Sequence, residues 1–232
     1  MSTRKTLLAI TVLALPLLTA CTSETYTTGD GKYSNMRADF AEARTNASGE
    51  LFCAVTDDGD SLVLSPRPKT EWATTPDSLY RALIYYNVPE TGNEVKPLFT
   101  MGIAVPKIHG KNAVKKPAVD PVMLRSAWAS RRGRYVNLGI AIKTGSKDGL
   151  DKKQEIGLMC DSITTGDGGQ RRFYLKLLHR QNGVPEYYSA ELFLCIADYR
   201  LPVAPAAGDE ITIGINTYDG MVTKSFIYGQ GK

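Results

Sequence analysis

Apolar and polar residues alternate with a period of two along much of the chain, the pattern of half-buried strands rather than helices. Tyr33, Met36, Ala38 and Phe40 begin a strand over residues 33–45, and Asn46 to Gly49 turn it into an apolar run, 51–56. Asp57-Asp58-Gly59-Asp60 then leads into Ser61-Leu62-Val63-Leu64, and Asp-Gly between two apolar runs is a hairpin signal. Pro66 and Pro68 end that pairing. The stretch LYRALIYYNV, 79–88, carries Leu79, Arg81, Leu83 and Tyr85 on one face and Tyr80, Ala82, Ile84 and Tyr86 on the other. After a turn at Pro89 to Asn93, a further strand is expected over 98–108, with a bulge at Gly102. Five strands within roughly 80 residues match the size of a five-stranded OB-like barrel, assigned to 33–110.

Residues 111–121, GKNAVKKPAVDP from Gly110 onward, are Lys- and Pro-rich with few large apolar groups and read as a linker. Strands are then expected near 122–129, 134–143, 154–161, 172–179, 187–197, 210–218 and 223–228. Turn signals separate them at Asp148-Gly149, Asp167-Gly168-Gly169, Asn182-Gly183 and Asp219-Gly220. About seven short strands at regular spacing predict an Ig-like β-sandwich over 122–232. The fold class is therefore all-β, a barrel followed by a sandwich.

The one stretch that departs from this pattern is Leu7 to Cys21, LLAITVLALPLLTAC, preceded by Arg4 and Lys5. Cations, a short apolar run and small residues before a cysteine have the layout of a bacterial secretion signal. Leu18-Thr19-Ala20-Cys21 resembles a lipobox, which places cleavage between Ala20 and Cys21 and lipidation on Cys21. A spanning helix needs about 20 apolar residues, more than the run from Leu7 to Ala20 interrupted by Pro16. A plain secretory signal leaves the cysteine after Leu-Thr-Ala unexplained. Acyl chains add roughly 0.8 kcal/mol per buried methylene, so a lipoprotein with several chains stays attached. Thr22 and Ser23 follow Cys21 with no Asp beside it, which points to the outer membrane, on either of its faces. Residues 21–32, polar and Thr-rich, form the tether.

Composition changes this picture little. The net charge of +4 includes the two leader cations, too small a balance to imply nucleic acid as a partner. Cys53, Cys160 and Cys195 each sit inside an apolar run. They read as buried thiols, with a Cys160–Cys195 disulfide as the alternative.

The order of parts is familiar. A lipobox is followed by the Asp57-Asp58-Gly59 hairpin, the strand carrying Arg81, then Asp120-Pro121-Val122, Trp128 and Tyr135-Val136-Asn137-Leu138. This resembles the NigD-like family of bacterial lipoproteins, and the resemblance covers essentially the whole mature chain. It implies an N-terminal OB domain with a C-terminal β-sandwich and a proposed part in bacteriocin immunity. It brings no catalytic residues.

Candidate chemistry is sparse. His109 and His179, the only histidines, fall in different expected domains at strand ends and read as surface residues. No HExxH, Walker loop, GxSxG or GxGxxG occurs. Asp57, Asp58 and Asp60 are explained by a turn better than by calcium, which takes more ligands. Arg131, Arg132 and Arg134, and Arg171 with Arg172, read as solvated sheet ends, or else as binders of anionic sugar or phosphate. The pairs Tyr85-Tyr86 and Tyr187-Tyr188 each put one ring on either face of a sheet, so one of each is expected to face a ligand by stacking. The expectation is a non-enzymatic envelope lipoprotein, without cofactor or metal, that binds a protein or glycan. The alternatives are a structural part of a surface polysaccharide-handling assembly or a glycan-active enzyme. The enzyme would use two of Glu155, Asp161, Glu186 and Glu191.

Overall fold

A computed structural model describes residues 34–147 and 152–229. The signal, Ala20, Cys21, the tether and the Asp148-Gly149 turn lie outside the described residues. The first sheet is built from β1 (Met36–Thr45), β2 (Leu51–Thr56), β3 (Ser61–Leu64), β4 (Leu79–Asn87), β5 (Glu94–Val95) and β6 (Pro97–Gly102). Their order is β5-β3-β2-β1-β4-β6. Only Lys96 separates β5 from β6, yet β5 pairs parallel with β3 and β6 pairs antiparallel with β4. One passage of chain thus touches both edges and closes the sheet. Taken as a single interrupted strand, β5–β6 completes a five-stranded barrel of OB type. Its core holds Ala41, Ala43, Leu51, Leu64, Ala82, Ile84 and Tyr86.

The strand expected over 98–108 divides. β6 stops at Gly102, and the chain resumes as β7 (Ile108–Gly110), paired parallel with a strand of the second half. Pro106 lies between them, a residue with no N–H to continue a ladder. Gly102 is not a bulge. A Cβ there would lie 2.9 Å from Trp72 Cε3, so the glycine admits the indole. The register shift of this pair falls at Tyr85/Tyr86 instead.

The second half contains β8 (Met123–Ala129), β9 (Tyr135–Thr144), β10 (Glu155–Thr165), β11 (Arg171–Arg180), β12 (Tyr188–Ala197), β13 (Glu210–Thr217) and β14 (Gly220–Ile227). They form two facing sheets, β14-β13-β11-β10-β7 and β12-β9-β8. Between them lies a core that includes Leu138, Ile140, Leu158, Phe173, Leu175, Leu194 and Ile213. The larger sheet is mixed, because β7 pairs parallel with β10 and β11 pairs parallel with β13.

The segment expected as a linker is part of this sheet. The β11–β13 ladder ends at Lys176–Gly214, and residues 118–122 enter beyond it. Val119 bridges His179, and Val122 bridges Thr217. His179 N donates to Ala118 O at 3.0 Å, and Val122 N to Asn216 O at 3.0 Å. Few apolar residues are needed for this role, because the backbone makes the bonds.

From Asn35 onward the chain clusters as one compact unit. The reason is visible in β9, which is buried along its first eight residues. Val136, Leu138, Ile140 and Ile142 face the sandwich core, while Tyr135 belongs to a separate cluster with Leu83 and Ile103 of the first half. The three-stranded sheet is therefore covered on both sides, which explains the near-continuous apolar run of β9. Gly139 lets the outer side close up. A Cβ there would stand 2.5 Å from Ser126 Oγ and 3.1 Å from Phe193 Cε1. Gly139→Val is expected to destabilise the fold by about 1–3 kcal/mol in chemical denaturation, although valine favours strands. A gain in stability would show that the seam has room.

Candidate functional site

Arg81 lies on the face of β4 that also carries Leu83 and Tyr85, and that face turns away from the barrel core toward the sandwich. Its side chain is 1% exposed. Nη2 donates to Asp57 Oδ2 at 2.6 Å and to Asn137 Oδ1 at 2.9 Å, and Nε approaches Cys195 Sγ at 3.4 Å. Asn137 Nδ2 donates to Asp57 Oδ2 at 2.9 Å, and the Cys195 thiol donates to Asn137 Oδ1 at 3.0 Å. The guanidinium stacks over Tyr135, 4.0 Å from the ring centroid, with Phe40 at 5.5 Å. Around this centre Tyr135 Oη donates to Glu42 at 2.8 Å, and Phe40 meets Trp128 and Phe193 edge-on, each at 5.2 Å.

The chemistry of this cluster is structural. Burial pushes the Cys195 thiol up to about 11 against the opposing pull of Arg81, so at neutral pH it is a neutral donor and no nucleophile. Burial, then the bond to Glu42, raises the Tyr135 hydroxyl as well. All three described cysteines are free: Cys195 sits in the seam, Cys160 is buried in the sandwich core and Cys53 is half-buried.

The charged clusters are largely paired within the fold. Asp57 to Asp60 form the expected turn, with Gly59 at φ 99° and Thr56 N bonded to Asp60 O at 2.9 Å. Two of the three arginines after β8 meet acidic groups of the barrel: Arg134 pairs with Glu42 at 2.7 Å and Arg131 with Asp58 at 3.5 Å. Arg171 binds Asp209 at 2.6 Å and Arg172 binds Glu210 at 2.6 Å. Burial works to raise the Asp209 carboxyl, but bonds from Ala206 N and from Arg171 hold it below the ordinary carboxylate range.

The histidines are neither in separate domains nor both on the surface. β7 and β11 belong to one sheet, and His179 is buried, with Nδ1 3.1 Å from Asp120 O and Nε2 2.7 Å from Gln154 Oε1. Gln154 Nε2 donates to Lys143 O at 2.9 Å, which fixes its oxygen toward the imidazole. The four carboxylates considered for glycan cleavage face separate cations: Glu155 meets Arg180, Asp161 meets Lys111 and Lys176, Glu186 meets Lys143, and Glu191 meets Arg125.

The tyrosines divide sharply. Tyr86 is 2% exposed in the barrel core and donates to Asp39 at 2.6 Å, so it faces no ligand. Tyr85 is half-buried against the seam, edge-on to Phe99. That barrel face is covered at Leu83 and open at Phe99, the cross-strand partner of Tyr85, which is 57% exposed. By contrast, Tyr187 is 69% exposed and Tyr188 60% exposed. Tyr187 precedes β12, so the alternation of the strand does not turn one of the two inward. Its ring lies over Gly145, where a Cβ would come within 2.8 Å of it. Lys143, bound to Glu186 at 3.8 Å, sits 4.9 Å from the ring centroid of Tyr218. The ends of β9 and β12 and the β13–β14 hairpin thus gather exposed aromatics at one end of the sandwich. The loop residues there carried only the weak signal of Tyr218 before Asp219-Gly220.

Several solved structures share this fold. A NigD-like immunity protein from Bacteroides caccae superposes with a TM-score of 0.61 at 19% identity, over 82% of this chain and 96% of that one. This chain has the NigD-like fold. A Parabacteroides distasonis protein described as a candidate toxin-related protein matches with a TM-score of 0.60 at 17% identity, over 83% of this chain and 93% of that one. A Bacteroides fragilis protein described as a candidate lipoprotein matches with a TM-score of 0.55 at 14% identity, over 85% of this chain and 99% of that one. No family model and no curated protein matches the sequence. The NigD-like fold therefore stands on three-dimensional similarity. Four of the residues that first suggested it, Asp57, Arg81, Tyr135 and Asn137, meet in the seam.

Two outcomes follow from the seam. Asp57→Ala leaves Arg81 buried without its carboxylate and is expected to cost about 3–5 kcal/mol, whereas Asp57→Ala with Arg81→Met costs less than the single change. Denaturant titrations of the three proteins measure this. Cys195 ionises less readily folded than unfolded, so its contribution to stability is complete below about 9 and is lost as pH rises toward about 11. Tyr135 acts in the same direction. Thermal melts should show Tm falling above pH 9, and Cys195→Ala should flatten that limb.

Proposed function

We propose that the chain is a non-enzymatic lipoprotein of the cell envelope, held in the outer membrane by acylated Cys21, that binds a partner protein through the tyrosine-bearing end of its sandwich. Exposure of Tyr187 and Tyr188 carries this reading. Tyrosine supplies a large, rigid, amphipathic contact at low entropic cost and is enriched in protein interfaces. Loop ends of a β-sandwich are a recurrent place for such contacts. The likeness to a NigD-like immunity protein and to a candidate lipoprotein supports an immunity role at the envelope, with a bacteriocin or its target as the partner. The neutral thiol of the seam and the dispersed carboxylates support binding over catalysis.

The test is a cross-linked pull-down from the native host, comparing the intact protein with Tyr187→Ala/Tyr188→Ala. The double variant is expected to keep its Tm and lose the partner. Equal recovery from both would remove the tyrosine end from the reading. Metabolic labelling with a fatty acid is expected to label the protein and to fail for Cys21→Ala. A deletion strain with unchanged toxin sensitivity would end the immunity role.

A further inference from the structure

Between β7 and residue 118 the chain crosses the outer face of the five-stranded sheet. Beneath it lies a groove of about 570 Å³, within the range of small-ligand and peptide sites. Its floor is the end of the β10–β11 hairpin, where Gly157 pairs with Leu178 and Glu155 with Arg180. Its wall is Ala113 to Lys116 and Ala118, with His109 at the β7 side. A Cβ on Gly157 would meet nothing within 4 Å, so the floor is open there.

The lining of this groove is rich in positive charge. In the arginine clusters, Arg131, Arg134, Arg171 and Arg172 are matched by carboxylates. Here Lys115, Lys116 and His109 are exposed and, among the described residues, pair with no carboxylate. Glu155 is the one acidic lining residue, and Arg180 stands 3.5 Å from it. The rim is cationic over a floor and wall of Gly157, Leu178, Val114 and Ala118. No tyrosine, tryptophan or phenylalanine lines it, so a sugar ring finds no stacking surface.

We infer that this groove binds an acidic peptide segment, with carboxylates on Lys115 and Lys116 and aliphatic side chains on Leu178 and Val114. Charge complementarity selects the occupant. Neither Tyr187 nor Tyr188 lines the groove, and its test does not depend on the role proposed for those tyrosines.

The experiment is fluorescence anisotropy of the purified full chain with two labelled hexapeptides, LEDLEL and its basic counterpart LKKLKL. The acidic peptide is expected to bind, more weakly as salt rises, and the basic one to give no saturable signal. Lys115→Glu/Lys116→Glu is expected to weaken the acidic peptide by at least about tenfold with Tm unchanged, because both side chains are exposed. Gly157→Leu, which fills the floor without altering charge, should do the same. Tyr187→Ala/Tyr188→Ala should bind the peptide as the parent does. Equal affinity for both peptides, or charge reversal without effect, would overturn the assignment. So would competition by hexagalacturonate at lower concentration than by unlabelled LEDLEL, which would make the groove a polyanion site.

Discussion

Arg81 extends from the barrel into a space that only the sandwich can close. The barrel supplies Asp57 to neutralise it, and the sandwich supplies Asn137, Cys195 and the ring of Tyr135. A guanidinium this deeply buried is tolerable only with its counter-charge in place; Nη2 and Nε are held, while Nη1 has no hydrogen-bond partner among the described residues. Either half alone would leave part of the set in water. The apolar area of the seam comes from Phe40, Trp128 and Phe193, whose edge-on packing is non-specific about register. The polar centre supplies the specificity, because Asn137 bridges Arg81 and Asp57 in one orientation only.

That seam determines what the remaining surfaces can do. β4 has two buried faces, one in the barrel core through Ala82, Ile84 and Tyr86, the other in the seam through Arg81 and Leu83. β9 likewise serves the sandwich core on one side and the barrel on the other. The barrel wall around Arg81 and Leu83 is therefore covered. Exposed aromatic rings remain at Phe99 on β6, at Tyr199 and at the loop end of the sandwich, where Tyr187 and Tyr188 have no layer above them.

Charge follows the same logic. Most arginines that look like an anion-binding patch in one dimension are matched in three, because turns and strand ends from distant parts of the chain bring Asp58, Glu42, Asp209 and Glu210 to them. On the crossing segment over β10 and β11, Lys111 pairs with Asp161, whereas Lys115 and Lys116 pair with no carboxylate among the described residues. The backbone of that segment is held through Ala118, Val119 and Val122.

The strands were legible in the sequence because alternation of apolar residues is a local property. Seven strands of the sandwich and both faces of LYRALIYYNV follow from period alone, as does the turn at Asp57 to Asp60. The resemblance of Leu18-Thr19-Ala20-Cys21 to a lipobox is likewise local. What sequence could not decide was what each face meets. Tyr86 and Tyr188 look alike in one dimension, yet one fills a barrel and the other faces water. The stretch 118–122 is broken by Asp120 and Pro121, yet its backbone extends a sheet. Arg81 and Asn137 are 56 residues apart, and no periodicity links them. Burial, pairing and charge neutralisation are properties of contacts between distant segments, and those contacts exist only once the barrel has docked on the sandwich.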